Sequence, residues 1–591
     1  MKQFLKYVLA TIVGFFCIGI FMLMLGFIMI GSMMVADSKT PSVKEGTVLH
    51  ITLSGSITER ATENPFSSLM GKSAMSNQGL DDIIKAIKVA KTNKNVSGIY
   101  LEGGALSTDY ATLQELRKAL VDFKKSKKFI LSYADAYTQG SYYLSSVADK
   151  VLLNPYGMID WKGIASQPIF FTDLLKKVGV KMQVFKVGTY KSAVEPFILT
   201  GMSDANREQL QACIGDIWQN VCTDVSASRR IPMDSLNAFA DHYITLSQPQ
   251  NYVKCHLVDS LSYIDGVRDK LRQLSHQEKV TMITPSELAK VDVSSDEDDK
   301  IAVYYAQGDI VDELGTGSMG ANQQQIVGKK VVEDLDQLAE DDDVKAVVIR
   351  VNSGGGSAYA SEQMWRAVKL LKKKKPVVVS MSGMAASGGY YMSCAADCIV
   401  AEPTTLTGSI GIFGLIPDAS ELLTEKLGLH FDVVKTNKSA DFGAMGRGFN
   451  ADEAGAMQMY VNRGYMQFLS RVADGRHMAT AQVDRIAQGR VWTGTQALKL
   501  KLVDRLGSLD DAVAIAASKA KVKAYSVEGY PEKSSWMDQL LNTASTDDYM
   551  EEKLKVALGE YYAPLRFVST LRGTDVKNCV QARLYYLPNL K

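Results

Sequence analysis

The sequence predicts an α/β architecture, two tandem homologous βαβ units behind an apolar N-terminal segment. Three observations carry this. The segment 131–155, LSYADAYTQGSYYLSSVADKVLLNP, returns at 379–403 as VSMSGMAASGGYYMSCAADCIVAEP, a constant shift of 248 positions. Short β-branched runs alternate with amphipathic stretches, the pattern of parallel strands joined by helical crossovers. Residues 7–36 carry no charged side chain.

That uncharged run comes first in the chain. About 20 apolar residues cross a bilayer, so it is long enough for a transmembrane helix. A cleaved signal peptide has a shorter apolar core, roughly 7–15 residues, and an A-x-A-like end. The MVA before Asp37 imitates that end poorly. Residues 1–45 therefore read as an N-terminal transmembrane anchor. Lys2 and Lys6 precede the run, which puts the N-terminus in the cytoplasm and the rest of the chain outside the cytoplasmic (inner) membrane.

The two units follow at 46–280 and 301–525, with a polar linker at 281–300 that contains SSDEDDK. FKVGTYKSA (185–193) pairs with VVKTNKSA (433–440), and HLVDSLSYIDGV (256–267) with KLVDRLGSLDDAV (501–513), at nearly the same shift. In the second unit IAVYYA (301–306), VKAVVIRV (344–351) and PVVVSM (376–381) read as buried strands. SEQMWRAVKLLKKKK (361–375) reads as an amphipathic helix whose last-turn lysines oppose the helix dipole. Residues 526–591 form a less regular C-terminal extension with a helix-like stretch at 549–562.

Composition excludes several classes. Apolar residues are 46% and charged residues 22%, an ordinary globular balance, and a net charge of +1 offers no field for nucleic acid. Seven irregularly spaced cysteines predict buried free thiols rather than a disulfide framework. There is no HExxH motif and no P-loop, so zinc proteolysis and NTP hydrolysis are unsupported.

The chemistry gathers around GMAASGGYY (383–391). Ser387 stands between a strand and a helix, where free backbone N–H groups favour developing negative charge. Gly388 supplies an amide directly after it, and RVNSGGGSA (350–358) offers a second donor on a glycine-rich turn. A serine nucleophile needs a base. The six histidines lie outside glycine- or serine-rich turns, and His430 sits in a strand-like LHFDVV, so lysine is the remaining route. A neutral lysine deprotonates serine if burial lowers its pKa far enough. Lys191 and its repeat partner Lys438 both qualify, each just after a strand-like run. The first unit has Gln139 where the second has Ser387, so the first unit has no nucleophile of its own.

RVNSGGGSAYASE, SMSGMAASGGYYMS, TLTGSIGIFG and GRVWTGTQALKLKLVD, in that order, resemble the signal peptide peptidase A family of membrane-anchored Ser/Lys proteases. The duplicated layout is similar to its long form. The resemblance implies a fold of the crotonase/Clp protease superfamily. It also implies Ser387 as nucleophile, Ser409 as hydrogen-bond partner of the lysine, and Gly354 or Gly355 beside Gly388 in an oxyanion hole. The long form takes its lysine from the first half, which maps onto Lys191; the short form uses one that maps onto Lys438, the alternative base. The implied function is endopeptidase cleavage of spent signal peptides and similar apolar peptides by a homotetramer at the membrane. No metal or cofactor is implied. Two rival readings are an inactive anchored peptide-binding scaffold and a crotonase-type acyl-CoA hydratase. Retention of Ser387, Ser409 and Lys191 speaks against the first, and the anchor speaks against the second.

Overall fold

The computed structural model describes residues 41–61, 77–291, 297–313, 325–533 and 580–583, with scattered helical positions between Lys6 and Met24. Among the described residues no helix is long and apolar enough to cross a membrane. The run read as an anchor lies mostly outside them, as does the helix-like stretch 549–562.

The first unit is β1 (Thr47–Thr58), α1 (Leu80–Thr92), β2 (Val96–Ser107), α2 (Tyr110–Phe123), β3 (Phe129–Tyr137), α3 (Gln139–Ser145) and β4 (Lys150–Ile159). β5 (Lys181–Lys186), α4 (Asp204–Arg229) and α5 (Ile264–Ser275) follow. Strands β1 to β4 pair side by side in chain order, all parallel, as short apolar runs separated by helices require. Leu49, Ile51, Ile99, Leu101 and Ile130 fill the core beneath the crossover helices.

The second unit repeats the plan with β6 (Lys300–Gln307), α6 (Gly328–Glu340), β7 (Val344–Ser353), β8 (Gly355–Ser357), α7 (Ala358–Leu371), β9 (Val377–Ala386) and α8 (Gly388–Ser393). It continues with β10 (Cys398–Ala401), β11 (Leu406–Gly408), β12 (Phe413–Asp418), α9 (Ala451–Arg476), β13 (Val491–Thr493), α10 (Leu509–Ala520), β14 (Ser526–Tyr530) and β15 (Val580–Arg583). Its sheet runs β13-β11-β9-β7-β6-β14, parallel except for the β11–β13 pair. α2 and α7 span the same 14 residues at the 248-residue shift, and α4 and α9 are both 26 residues long. Each long helix opens on a side-chain cap, Ser203 for α4 and an Asn450/Glu453 capping box for α9.

Three boundaries differ from the sequence expectation. Residues 281–300 are not all linker, because Met282–Ile283 adds to β1 and the helix Pro285–Ala289 carries Leu288 into the first core. The C-terminal extension contributes β14 to the second sheet and β15 to a third one. The LHFDVV stretch around His430 forms no strand, and its side chains are exposed.

The third sheet joins the units, in the order Gln325–Val327, Asp309–Val311, β8, β15, β12, β5. β5 of the first unit pairs antiparallel with β12 of the second, from Lys186↔Phe413 to Lys181↔Asp418. A buried ion cluster closes the rest of the junction. Arg350 of β7 bonds Glu59 at 2.8 Å and Glu115 at 2.5 Å, both from the first unit, and Ser380 at 2.9 Å. Ser382 also donates to Glu59, and Lys118 meets Glu402 at 2.6 Å. Removing one partner of a buried ion pair leaves the other charge uncompensated, at a cost of about 3–5 kcal/mol. Arg350→Met strands two carboxylates, so it should lower the unfolding free energy read from denaturant titration by that order, whereas Lys374→Met, which removes an exposed pair with Glu340, should leave it within about 0.5 kcal/mol.

Candidate active site

β9 ends at Ala386 and α8 begins at Gly388, so Ser387 is the single residue of a sharp strand-to-helix turn. It takes φ 53° and ψ −113°, a conformation that costs a non-glycine residue on the order of 1–3 kcal/mol. The turn persists because its surroundings determine it: the Ser387 N–H donates to the Gly408 carbonyl of β11 at 2.8 Å, and α8 is buried throughout. The corresponding Gln139 of the first unit simply starts α3, behind a Thr138 cap, without positive φ.

Lys191 reaches the site from the first unit. Its Nζ lies 2.9 Å from Ser387 Oγ, 3.0 Å from Ser409 Oγ and 3.3 Å from the Ser409 carbonyl. The side chain is wholly buried, and burial pushes its pKa down from the usual lysine value to about 7. Among the described residues no carboxylate pairs with it to hold the proton. The Phe413 ring, 5.8 Å from Nζ, forms part of the dry wall.

The turn carrying Lys191 is held from both units. Gln209 of α4 donates to the Tyr190 carbonyl and to Ser192 Oγ, and the Tyr190 N–H donates to the Gln488 carbonyl of the second unit. Buried Glu195 accepts from Ser203 and Asn206, fixing the chain just beyond. Gly489 has no room for a side chain, since a Cβ there would stand 2.6 Å from Lys191 Cβ. The Arg490 guanidinium lies over both the Tyr190 and Trp492 rings at 4.5 Å and pairs with Glu208. Gln209, Gly489 and Arg490 were not singled out from sequence. The only signal was that Gly489 and Arg490 sit in the GRVWTG motif.

The glycines sort themselves by distance. Gly355, with φ 98°, approaches Gly388 so closely that a Cβ on it would lie 2.6 Å from the Gly388 nitrogen. Gly354 lies one residue before β8. The Gly355 N–H itself donates to Ser353 Oγ at 3.1 Å, so Gly388 offers the amide beside Ser387, and Gly355 offers close backbone approach.

Lys438 is far from this cluster in character. Its side chain is 83% exposed and pairs with Asp452 at 2.6 Å, and that hydrogen bond raises its pKa. The vacant position of the first unit is filled by an amide network. Gln139 donates to the Tyr110 hydroxyl at 2.7 Å and accepts from the Lys162 and Gly163 N–H groups. Cys213, Cys222, Cys394 and Cys398 are buried free thiols, and Cys255 is free and half-buried.

The profile of peptidase family S49 matches residues 122–278 and 369–523, once in each unit, and that of the Clp protease matches 311–402. The chain is 36% identical over 543 residues to "Protease 4" of Salmonella typhi, covering 88% of this chain and 86% of that one. It is 32% identical over 507 residues to "Protease 4" of Haemophilus influenzae, covering 80% and 79%. It is 30% identical over 488 residues to "Serine protease SPPA, chloroplastic" of Arabidopsis thaliana, covering 81% and 70%.

A lysine with a folded pKa of about 7 and an unfolded one of about 10.4 makes the unfolded chain the better proton binder between those values. Stability therefore rises as pH goes from about 7 to about 10.4, and below 7 the full penalty, about 5 kcal/mol, is present. Lys191→Met should raise the denaturant midpoint at pH 7 and flatten the pH 7–10 rise seen in the wild type.

Proposed function

The chain belongs to peptidase family S49 and is a serine protease, and from that premise we propose that it is a membrane-anchored endopeptidase working through a Ser387–Lys191 dyad on spent signal peptides and similar apolar peptides. The observation that carries this reading is the 2.9 Å approach of a buried, counter-ion-free lysine amine to a serine hydroxyl on a strained turn. Neutral Lys191 takes the proton as Ser387 Oγ attacks the scissile carbonyl. Ser409 orients the amine by its hydroxyl and carbonyl. The Gly388 amide, with the backbone of the glycine-rich loop at Gly354 and Gly355 beside it, receives the oxyanion. Lys191 then returns the proton to the leaving amine, and water hydrolyses the acyl-enzyme. Lys438, exposed and ion-paired, has no part in these steps.

The substrate class and setting rest on the family resemblance, the uncharged run at 7–36, which suits a bacterial inner-membrane anchor with the catalytic region outside the cytoplasm, and an apolar surface. Residues 430–434 are the repeat counterpart of β5, yet Phe431, Val433 and Val434 are 45%, 50% and 100% exposed. A segment that is a strand in the first copy and has no strand partner among the described residues in the second suits pairing with the next copy in a closed ring, and the ring we propose is a homotetramer.

Activity on a peptide with an apolar core should fall about 10²–10⁴-fold in Ser387→Ala and Lys191→Ala and stay within twofold in Lys438→Ala. Full activity in Ser387→Ala would sink the protease mechanism, and loss in Lys438→Ala alone would move the base to that residue. Because the neutral amine is the active form, kcat/KM should rise tenfold per pH unit below about 7 and level off above it.

A further inference from the structure

Lys191 and Ser387 come from different units, so the 2.9 Å contact between them has to be kept in register across the junction. Gln209, near the start of α4, is 2% exposed and uses both ends of its amide. Its Nε2 donates to the Tyr190 carbonyl at 3.1 Å and to Ser192 Oγ at 3.0 Å, one on either side of Lys191, and to Asn206 Oδ1 at 3.1 Å. Its Oε1 accepts from the Val491 N–H of β13 at 3.2 Å. The same face of α4 continues along β13, where Cys213 Sγ meets the Val491 carbonyl at 3.7 Å and Thr493 donates to Asp216 at 2.5 Å.

Both serines of the site rest on β13. Val491 pairs with Gly408 of β11, and the Gly408 carbonyl accepts from the Ser387 N–H at 2.8 Å. The Arg490 carbonyl accepts from the Ser409 N–H at 2.7 Å. A closed circuit results. It runs from the Lys191 amine to Ser387, then to Gly408, Val491 and Gln209, and back to the two neighbours of Lys191. The second unit offers the contrast. Counted from the caps Ser203 and Asn450, Gln209 of α4 and Ala456 of α9 both stand six residues on, and alanine has no amide to offer. Lys438, in the unit with the alanine, is the lysine that faces solvent.

We propose that Gln209 is a positioning residue for the reaction, clamping the Lys191 turn to β13 so that the amine stays dry and within reach of Ser387; this rests on the reading of Ser387 and Lys191 as nucleophile and base. Gln209 touches neither reacting atom and acts through Tyr190, Ser192 and Val491. Burial is what lowers the proton affinity of Lys191, so a loosened turn that admits water returns it toward an ordinary lysine. The charged groups around the turn are Arg490, paired with Glu208 over the Tyr190 ring, and buried Glu195, held by Ser203 and Asn206. Among the described residues the Lys191 amine bonds none of them, only Ser387 and Ser409. Displacing a reacting group by about 1 Å costs on the order of 10²-fold in rate.

The test is the pH dependence of peptide cleavage by the full-length chain, expressed per active site, with sites counted by fluorophosphonate labelling of Ser387. Gln209→Leu, of similar size but without the amide, should lose about 10–100-fold in kcat/KM per labelled site at pH 7. Its pH–rate midpoint should rise by about one unit or more above the wild-type midpoint near 7, so that much of the loss returns by pH 9. Gln209→Asn, whose amide sits one carbon short of spanning the turn and β13, should shift the midpoint in the same direction by less. Thr223→Ala, on the exposed side of α4, should match the wild type. A residue that only supports folding would lower the labelled fraction and leave the per-site rate and the midpoint alone. An unmoved midpoint in both Gln209 variants therefore overturns the clamp and leaves the dyad standing. Unchanged cleavage by Ser387→Ala, or a wild-type profile without a midpoint near 7, overturns the dyad reading itself.

Discussion

A buried lysine amine gives up its proton near neutrality when burial strips its charge of water, and neither unit alone buries Lys191. The first unit supplies the side chain and the Gln209 and Glu195 contacts that fix its turn. The second supplies the cover: Ser409, Gly411, Phe413 and Gly489. Every feature that presses the units together, from the β5–β12 ladder to the Arg350 cluster, therefore bears on the proton affinity of one amine. The cost is intrinsic. A folded state that holds an uncharged lysine at neutral pH is less stable than one with a methionine there, and the rest of the junction offsets the difference.

The two copies of the unit differ at corresponding positions. The second copy has the strained Ser387 turn, and the first has Gln139 without positive φ and with its amide fully engaged. The first copy keeps the lysine on a strand that finds a partner, β12, within the same chain. The second copy's equivalent stretch finds none among the described residues, and Lys438 stands in solvent paired to Asp452. Two lysines in nearly the same local sequence thus have their proton affinities shifted in opposite directions, because their surroundings differ.

The edges of β8 and β12 belong to the same design. An unpaired strand edge invites another strand, and a protease that binds extended peptides has to present one. Here β15 of the same chain lies between the two edges. The glycines of β8 make this possible, since at Gly355 any Cβ would meet the Ala582 carbonyl.

Much of this was legible in the residues alone. The repeat, the alternation of buried strands with amphipathic helices, the serine in a small-residue turn and the two lysines are all matters of residue type and short-range spacing, and they need no third dimension. The extent of the first unit was less legible, because Met282–Ile283 pairs with Val48 and Leu49 at the start of the unit, and Leu288 joins the core built there. The roles of Gln209 and Gly489 were hidden for the same reason. Sequence by itself determined the architecture and singled out Lys191 and Lys438 as the two candidate bases. Only the tertiary structure decided which of them lies beside Ser387, and which strand lies across the glycine-rich loop. Desolvation and strand pairing are properties of surroundings built from distant segments, and local sequence does not contain them.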